Sequence, residues 1–309
     1  MKKLFFFAAA ASVMLAACSS DNEEATVAEK SAIRLSTQSL TGMTRAGQSV
    51  QLTQFAANEN VGIFLAEDNA GSPVTSGTNV TPYAQPLTYV ADGAGNLANT
   101  QYWPQDGNGL HIFGVYPLAA ATAAAAYNAT GVTFTVAANQ TSDANYKASD
   151  LMTGKPTANN PVARQSTAVD MTFTHLLTKV DVNLTAGAGF DDVNSAEVSI
   201  LGTKPTTTFN VQNTTLGAAS GTATDIVAGT GTTNSVIIVP QAIAANTSFI
   251  KVTVGGGDYI YKLPAATTFA AQTKYVFNIT VNKTGLVLTT TQITAWADGV
   301  EADGSATLQ

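Results

Sequence analysis

The chain has 309 residues, 11% charged and 45% apolar, with a formal net charge of −7. Charged residues usually supply about 25% of a soluble domain, so polarity here rests on Thr, Asn, Gln and Ser, as suits a β-rich exported protein. The 14 basic residues are scattered; with no run of them to neutralise phosphates, nucleic-acid binding is excluded.

The N-terminus opens with Met1-Lys2-Lys3 and an apolar run over residues 4–11. That is a charged region, a secretory hydrophobic region and small residues at a cut. The run is too short to cross a bilayer, which takes about 20 apolar residues in a helix. Leu15-Ala16-Ala17-Cys18 matches the bacterial lipobox, and Cys18 is the only cysteine in the chain. In such signals the sulfur receives diacylglycerol and cleavage makes the cysteine the new N-terminus. The alternative is an ordinary signal peptide with an unrelated cysteine, but the position, the small residues and Ser19-Ser20-Asp21 all favour lipidation. Residues 1–17 therefore read as a lipoprotein signal peptide, with Cys18 as the link to the outer membrane. Once lipidated, Cys18 leaves no thiol for a disulfide, a metal or a nucleophile.

Residues 19–31 are polar and aperiodic, a tether. Residues 32–37 alternate like a half-buried strand. A loop-like segment at 41–47 carries Arg45, and no Lys or Arg comes after it until Lys147. Short strands are then expected at 61–66, 86–90, 110–116, 132–136, 169–173, 180–184, 196–201, 207–211, 235–239 and 274–281. Residues 132–136 and 277–281 alternate strictly. Segments 249–254 and 258–263 flank Gly255-Gly256-Gly257, a hairpin signal. The alanine-rich tract 119–126 lacks an amphipathic stripe and reads as a loop or a single turn. Regular short strands argue for antiparallel β-sandwiches, and the length suits two of them, joined within the Asn-, Pro- and Ala-rich stretch 153–167. The divisions are thus a tether and strand at 18–45, a first sandwich at 46–165 and a second at 166–309.

Little catalytic chemistry is visible. His111 and His175 stand apart in strand-like runs, without a second histidine or a carboxylate at metal-ligand spacing; His175 reads as a packed or edge residue. Asp191-Asp192 fits a solvated loop. The Asp/Gly segments 92–96 and 106–109 fit hairpin turns better than calcium loops, having no bidentate glutamate at the twelfth position. Tyr102-Trp103 is the best aromatic pair for a glycan platform, although Trp103 before Pro104 reads equally well as a strand-end anchor. No cofactor, metal or catalytic set is expected, so the chain reads as a non-enzyme. A structural subunit, a surface glycan-binding lipoprotein and a hydrolase all stay compatible with this reading.

Several stretches, in order along the chain, resemble the fimbrillin family of Bacteroidetes, the subunits of type V pili. They are Tyr102-Trp103-Pro104 leading to Leu110-His-Ile-Phe-Gly-Val-Tyr-Pro117, then Ser149-Asp-Leu-Met-Thr-Gly154. Next comes Phe173-Thr-His-Leu-Leu-Thr-Lys-Val-Asp-Val-Asn-Leu184, then Tyr275-Val-Phe-Asn-Ile-Thr-Val281 and Ile293-Thr-Ala-Trp296. The resemblance implies an all-β fold of two tandem transthyretin-like sandwich domains, export as a lipoprotein, and a place in a cell-surface fimbrium that supports adhesion. It also implies cleavage before assembly by strand exchange, and the matching site here is Arg45, with Ala46 as the new N-terminus. The partners implied are other fimbrial subunits and host or bacterial surface ligands. The donor strand would come from 285–309, with Leu286, Leu288 and Ile293 as its plugs; the rival reading makes Gly285–Trp296 an internal strand of the second domain. An anchor or tip subunit of the same pilus is the alternative within the family.

Overall fold

The computed structural model describes residues 30–40 and 55–296. The chain is almost wholly β. Its first half comprises β1 (Leu35–Leu40), β2 (Asn60–Asn69), β3 (Ser72–Val74), β4 (Leu87–Ala91), β5 (Asn96–Ala98) and β6 (Leu110–Tyr116). Helix α1 (Leu118–Ala124), β7 (Val132–Thr135), α2 (Asp143–Ala148), β8 (Met152–Pro156) and β9 (Val169–His175) come next. Eight of the strands form one sheet in the order β3-β2-β4-β5-β1-β9-β8-β6, and β6 also pairs with β2. That last pairing closes the sheet into a ring, with β3 hanging off β2. Only the β1–β9 contact is parallel; the others are antiparallel.

Strand β6 falls where the sequence predicts it, and all its residues are buried. Leu110, Ile112 and Tyr116 point into the ring, while Phe113 and Val115 join a second core on its outer side. A strand covered on both faces needs no polar alternation. The alanine tract covers part of that outer side. The sequence predicts a loop or single turn there, but the tract forms α1, whose Ala120, Ala121 and Ala124 are buried. The docking stripe is made of alanines because the helix lies against Gly62, where any added Cβ would collide with the methyl of Ala121.

The second half contains β10 (Thr178–Ala186), β11 (Glu197–Thr203), β12 (Thr206–Phe209), β13 (Thr224–Thr230), β14 (Thr233–Ile238) and β15 (Gln241–Ile243). It continues with β16 (Ser248–Val254), β17 (Gly257–Lys262), β18 (Thr267–Phe269), β19 (Thr273–Asn282) and β20 (Gly285–Ala295). Two four-stranded sheets, β14-β10-β19-β20 and β13-β11-β16-β17, enclose one core. The short pairs β15–β18 and β7–β12 complete it. Gly255 and Gly256 take φ of 59° and 76° in the β16–β17 hairpin, the left-handed geometry that tight hairpin turns require.

The expected division between 165 and 166 is not where the sheets part. β9 still belongs to the first ring, and the chain passes to β10 through Leu176 and Leu177, both fully buried. Of the Asn- and Pro-rich stretch before it, residues 153–156 belong to β8 and the rest to the loop from β8 to β9. Residues 132–140, expected in the first sandwich, lie on the second: β7 pairs with β12, and the Gln140 amide both donates to the Ile237 carbonyl and accepts from its N–H, each at 2.8 Å.

Three of the sequence stretches meet at one ring. Gly114 and Gly154 are directly paired, and Phe173 lies across both; a Cβ on Gly154 would come 2.6 Å from its ring. Phe55 meets Phe173 edge-on at 5.0 Å. Gly154→Ala should therefore lower stability by about 1–3 kcal/mol through overpacking. In a Phe173→Leu background the same change should cost clearly less, a coupling that urea denaturation of the four variants measures.

Candidate functional site

Two strands correspond to the segments singled out in the sequence: β1, which closes the first ring, and β20, which ends the described chain. On β1 and its lead-in, Ile33 and Leu35 are buried in the ring core, and Ser36 and Thr37 are buried beside them. Both edges are engaged. Leu35 and Ser36 face Leu97 and Asn96 of β5 on one side, and Val169 and Asp170 of β9 on the other. The Ile33 N–H donates to the Gln101 carbonyl at 2.8 Å and the Thr37 N–H to the Gly95 carbonyl at 2.6 Å. The Ser31 carbonyl accepts from the Trp103 N–H at 2.9 Å, and the Arg34 carbonyl from the Val169 N–H at 2.8 Å. The Ser36 hydroxyl adds a bond to the Asp170 carboxylate.

Among the described residues, strand β20 pairs with one neighbour, β19, and lies beside β17. Leu286, Leu288, Thr291 and Ile293 face Val281, Ile279, Phe277 and Tyr275. The sequence spacing between Leu288 and Thr291 breaks strict alternation. A bulge at Thr289 absorbs the extra residue and returns Ile293 to the core-facing row. The predicted plugs thus share one face, but in this structure they serve the chain's own sheet. Leu286 and Leu288 pack partly on the core, and Ile293 stays 38% exposed.

Trp296 fixes the end of β20. Its indole is buried and stacks on the His175 imidazole, with centroids 4.2 Å apart and planes at 9°. His175 Nδ1 hydrogen-bonds the buried Asp150 carboxylate at 2.7 Å. A late residue of the second half is thereby held by a residue of the first ring. His175 is thus a packed residue; that the joint includes Trp296 was not legible from spacing. His111 Nε2 pairs with Asp68 at 2.9 Å.

The other sequence candidates resolve into turns and anchors. The Asp92 carboxylate accepts from the Ala94 and Asn96 N–H groups and from the Asn96 amide. The Asn96 side chain first, then these backbone donors, hold it below the usual carboxylate range. Asp106 caps its own turn by accepting from Asn108. Trp103 is buried in the ring core and Tyr102 is exposed. Cys18, Arg45 and Ala46 lie outside the described residues. Among the described residues no group of three or more His, Cys, Asp or Glu side chains is arranged to hold a metal, and no helix is long and apolar enough to cross a membrane.

Known proteins share this fold. A candidate cell adhesion protein from Bacteroides uniformis shares the fold with a TM-score of 0.63 at 21% identity, covering 87% of this chain and 99% of its own. A second, from Bacteroides ovatus, has a TM-score of 0.64 at 14% identity, covering 86% and 98%. The tip fimbrial protein Mfa3 from Porphyromonas gingivalis, with a C-terminal truncation, has a TM-score of 0.51 at 9% identity, covering 86% and 98%. No curated protein matches the sequence. The sequence profile of the fimbrillin-like family matches residues 44–296, nearly all of the described fold, and the chain belongs to that family.

Proposed function

We propose that this chain is a structural subunit of a cell-surface fimbrium, exported as a lipoprotein on Cys18, cut after Arg45 and polymerised by strand exchange. The observation that carries the reading is β1. It lies upstream of Arg45, yet it fills the gap between β5 and β9. Cleavage would leave β1 as a strand held only by non-covalent contacts, free to be replaced. Its loss would uncover the pockets of Ile33 and Leu35, each worth about 1.5–3 kcal/mol of burial. It would also leave the Gln101 and Gly95 carbonyls and the Trp103 and Val169 N–H groups without partners, at about 1–3 kcal/mol for each buried group. Such a gap favours any strand that restores both edges.

The donor in this reading is the C-terminal segment, residues 285–309. In its favour, β20 is paired on one edge only and its core-facing row Leu286, Leu288 and Ile293 is half open, whereas β1 is held on both edges. Donation requires Trp296 to leave His175, so this stack acts as a latch on the free subunit. Head-to-tail exchange does not close on itself and propagates as a filament.

Metabolic labelling with a fatty-acid analogue should mark the wild-type precursor and not Cys18→Ala; equal labelling would rule out lipidation there. Arg45→Ala should yield a full-length, membrane-bound form that builds no filaments, and N-terminal sequencing of assembled wild-type subunits should begin at Ala46. Trp296→Ala should lower the stability of the unassembled chain by about 3–5 kcal/mol and, with the latch gone, speed polymerisation of the processed subunit. Slower assembly of a folded Trp296→Ala subunit would contradict the latch.

A further inference from the structure

Beside the point where the lead-in to β1 meets Gln101–Trp103, the loops after β3 and after β5 enclose an open groove of about 600 Å³. Its walls carry the rings of Tyr102 and Tyr83 together with Asn79, Gln101, Gln105 and Asp106. The groove is preformed. The buried Glu67 carboxylate accepts from the Thr81 N–H and from the Asn108 amide, both at 2.8 Å, and so ties one wall to the other. The Tyr83 hydroxyl donates to the Tyr102 carbonyl at 2.6 Å, anchoring the Tyr83 ring to the backbone that carries Tyr102. Burial first, then the nearby charge of Glu67, raise the affinity of that phenol for its proton, so it remains a neutral donor. Tyr102 is 39% exposed, one of few large hydrophobic side chains so open among the described residues. Asn79 and Gln105 are exposed as well.

We propose that this groove is a binding site for a neutral oligosaccharide, with one sugar ring stacked on Tyr102 and its hydroxyls met by the Asn79 and Gln105 amides and the Asp106 carboxylate. The chemistry points there from three sides. A pyranose has an apolar C–H face and a rim of hydroxyls, which pairs with an aromatic ring edged by amides. The volume lies within the roughly 300–1,000 Å³ of small-molecule sites, in which a few placed polar groups fix orientation. Asp106 in the lining and the net charge of −7 disfavour an anionic chain. Lys30 lines the same groove, its ammonium 5.7 Å from the centroid of the Tyr102 ring. It therefore occupies the face on which a sugar would stack, and caps the site. Lys30 precedes Arg45, so the cut proposed above would also uncap the ring; the site itself does not depend on that cut.

The test uses the uncut chain without its signal peptide. It is applied to an array of neutral oligosaccharides built from glucose, mannose, galactose and N-acetylglucosamine, with hexalysine and polygalacturonate as charged probes. Retention of at least one neutral oligosaccharide is expected, weakened about tenfold or more in Tyr102→Ala and kept in Tyr102→Phe. The same sugar should bind more tightly to Lys30→Ala. Thermal unfolding serves as the folding control; Tyr102→Ala removes an exposed ring and should leave it nearly unchanged. The proposal is overturned if no neutral sugar binds at about 1 mM, if Tyr102→Ala binds as well as the parent, or if either charged probe is held in preference to every sugar. Unchanged affinity in Lys30→Ala would overturn the cap.

Discussion

The hydrogen bonds along both edges of β1 decide the state of the N-terminal half, because nothing else joins β5 to β9 among the described residues. A closed ring of strands presents no unpaired backbone, and a ring opened at one place presents two edges at once. The consequence reaches beyond the missing strand. Ile33 and Leu35 belong to the same core as Trp103, Phe55 and Phe173, so the segment that completes the hydrogen bonding also seals the hydrophobic interior. A single stretch thus governs edge pairing and core burial together.

The two halves are held to each other by side chains rather than by a linker. Leu176 and Leu177 carry the chain from β9 to β10 with no solvent-exposed residue between. The outer core runs from Phe64 and Phe113, through the alanines of α1, to Phe134 and the second sandwich. The Gln140–Ile237 bonds and the stack of Trp296 on His175 brace the same joint. The stack on His175 thereby ties the end of β20 to the first ring.

Much of this architecture is legible in the sequence, and the limits have physical causes. Alternating apolar residues locate β7 and β19, and the triple glycine locates the β16–β17 hairpin. The stretches around Gly114, Gly154 and Phe173 carry the family resemblance, but only the fold shows what joins them: the glycines leave room for one phenyl ring. Helix α1 is hidden because alanine is small enough to dock against Gly62 without forming a recognisable stripe. The passage between halves is hidden because a buried Leu-Leu step looks like strand, while the polar loop before β9 looks like a linker. The core-facing row of β20 is blurred by the bulge at Thr289, which sequence alternation alone does not reveal. Tyr102 and Trp103 illustrate the same limit at a site: adjacent aromatics on extended backbone point opposite ways, so one became core and the other groove. Tyr83, which completes that groove, comes from a distant loop and gave no local signal.

The strand exchange proposed above turns on which chain supplies the strand between β5 and β9 in the finished fibre. Cryo-electron microscopy of native filaments, at a resolution that traces side chains, reads this directly. Strand exchange predicts a strand in that gap continuous with the C-terminal segment of the neighbouring subunit, with Leu286, Leu288 or Ile293 in the pockets that Ile33 and Leu35 occupy here. A filament in which each subunit retains its own residues 31–37 between β5 and β9 would contradict it.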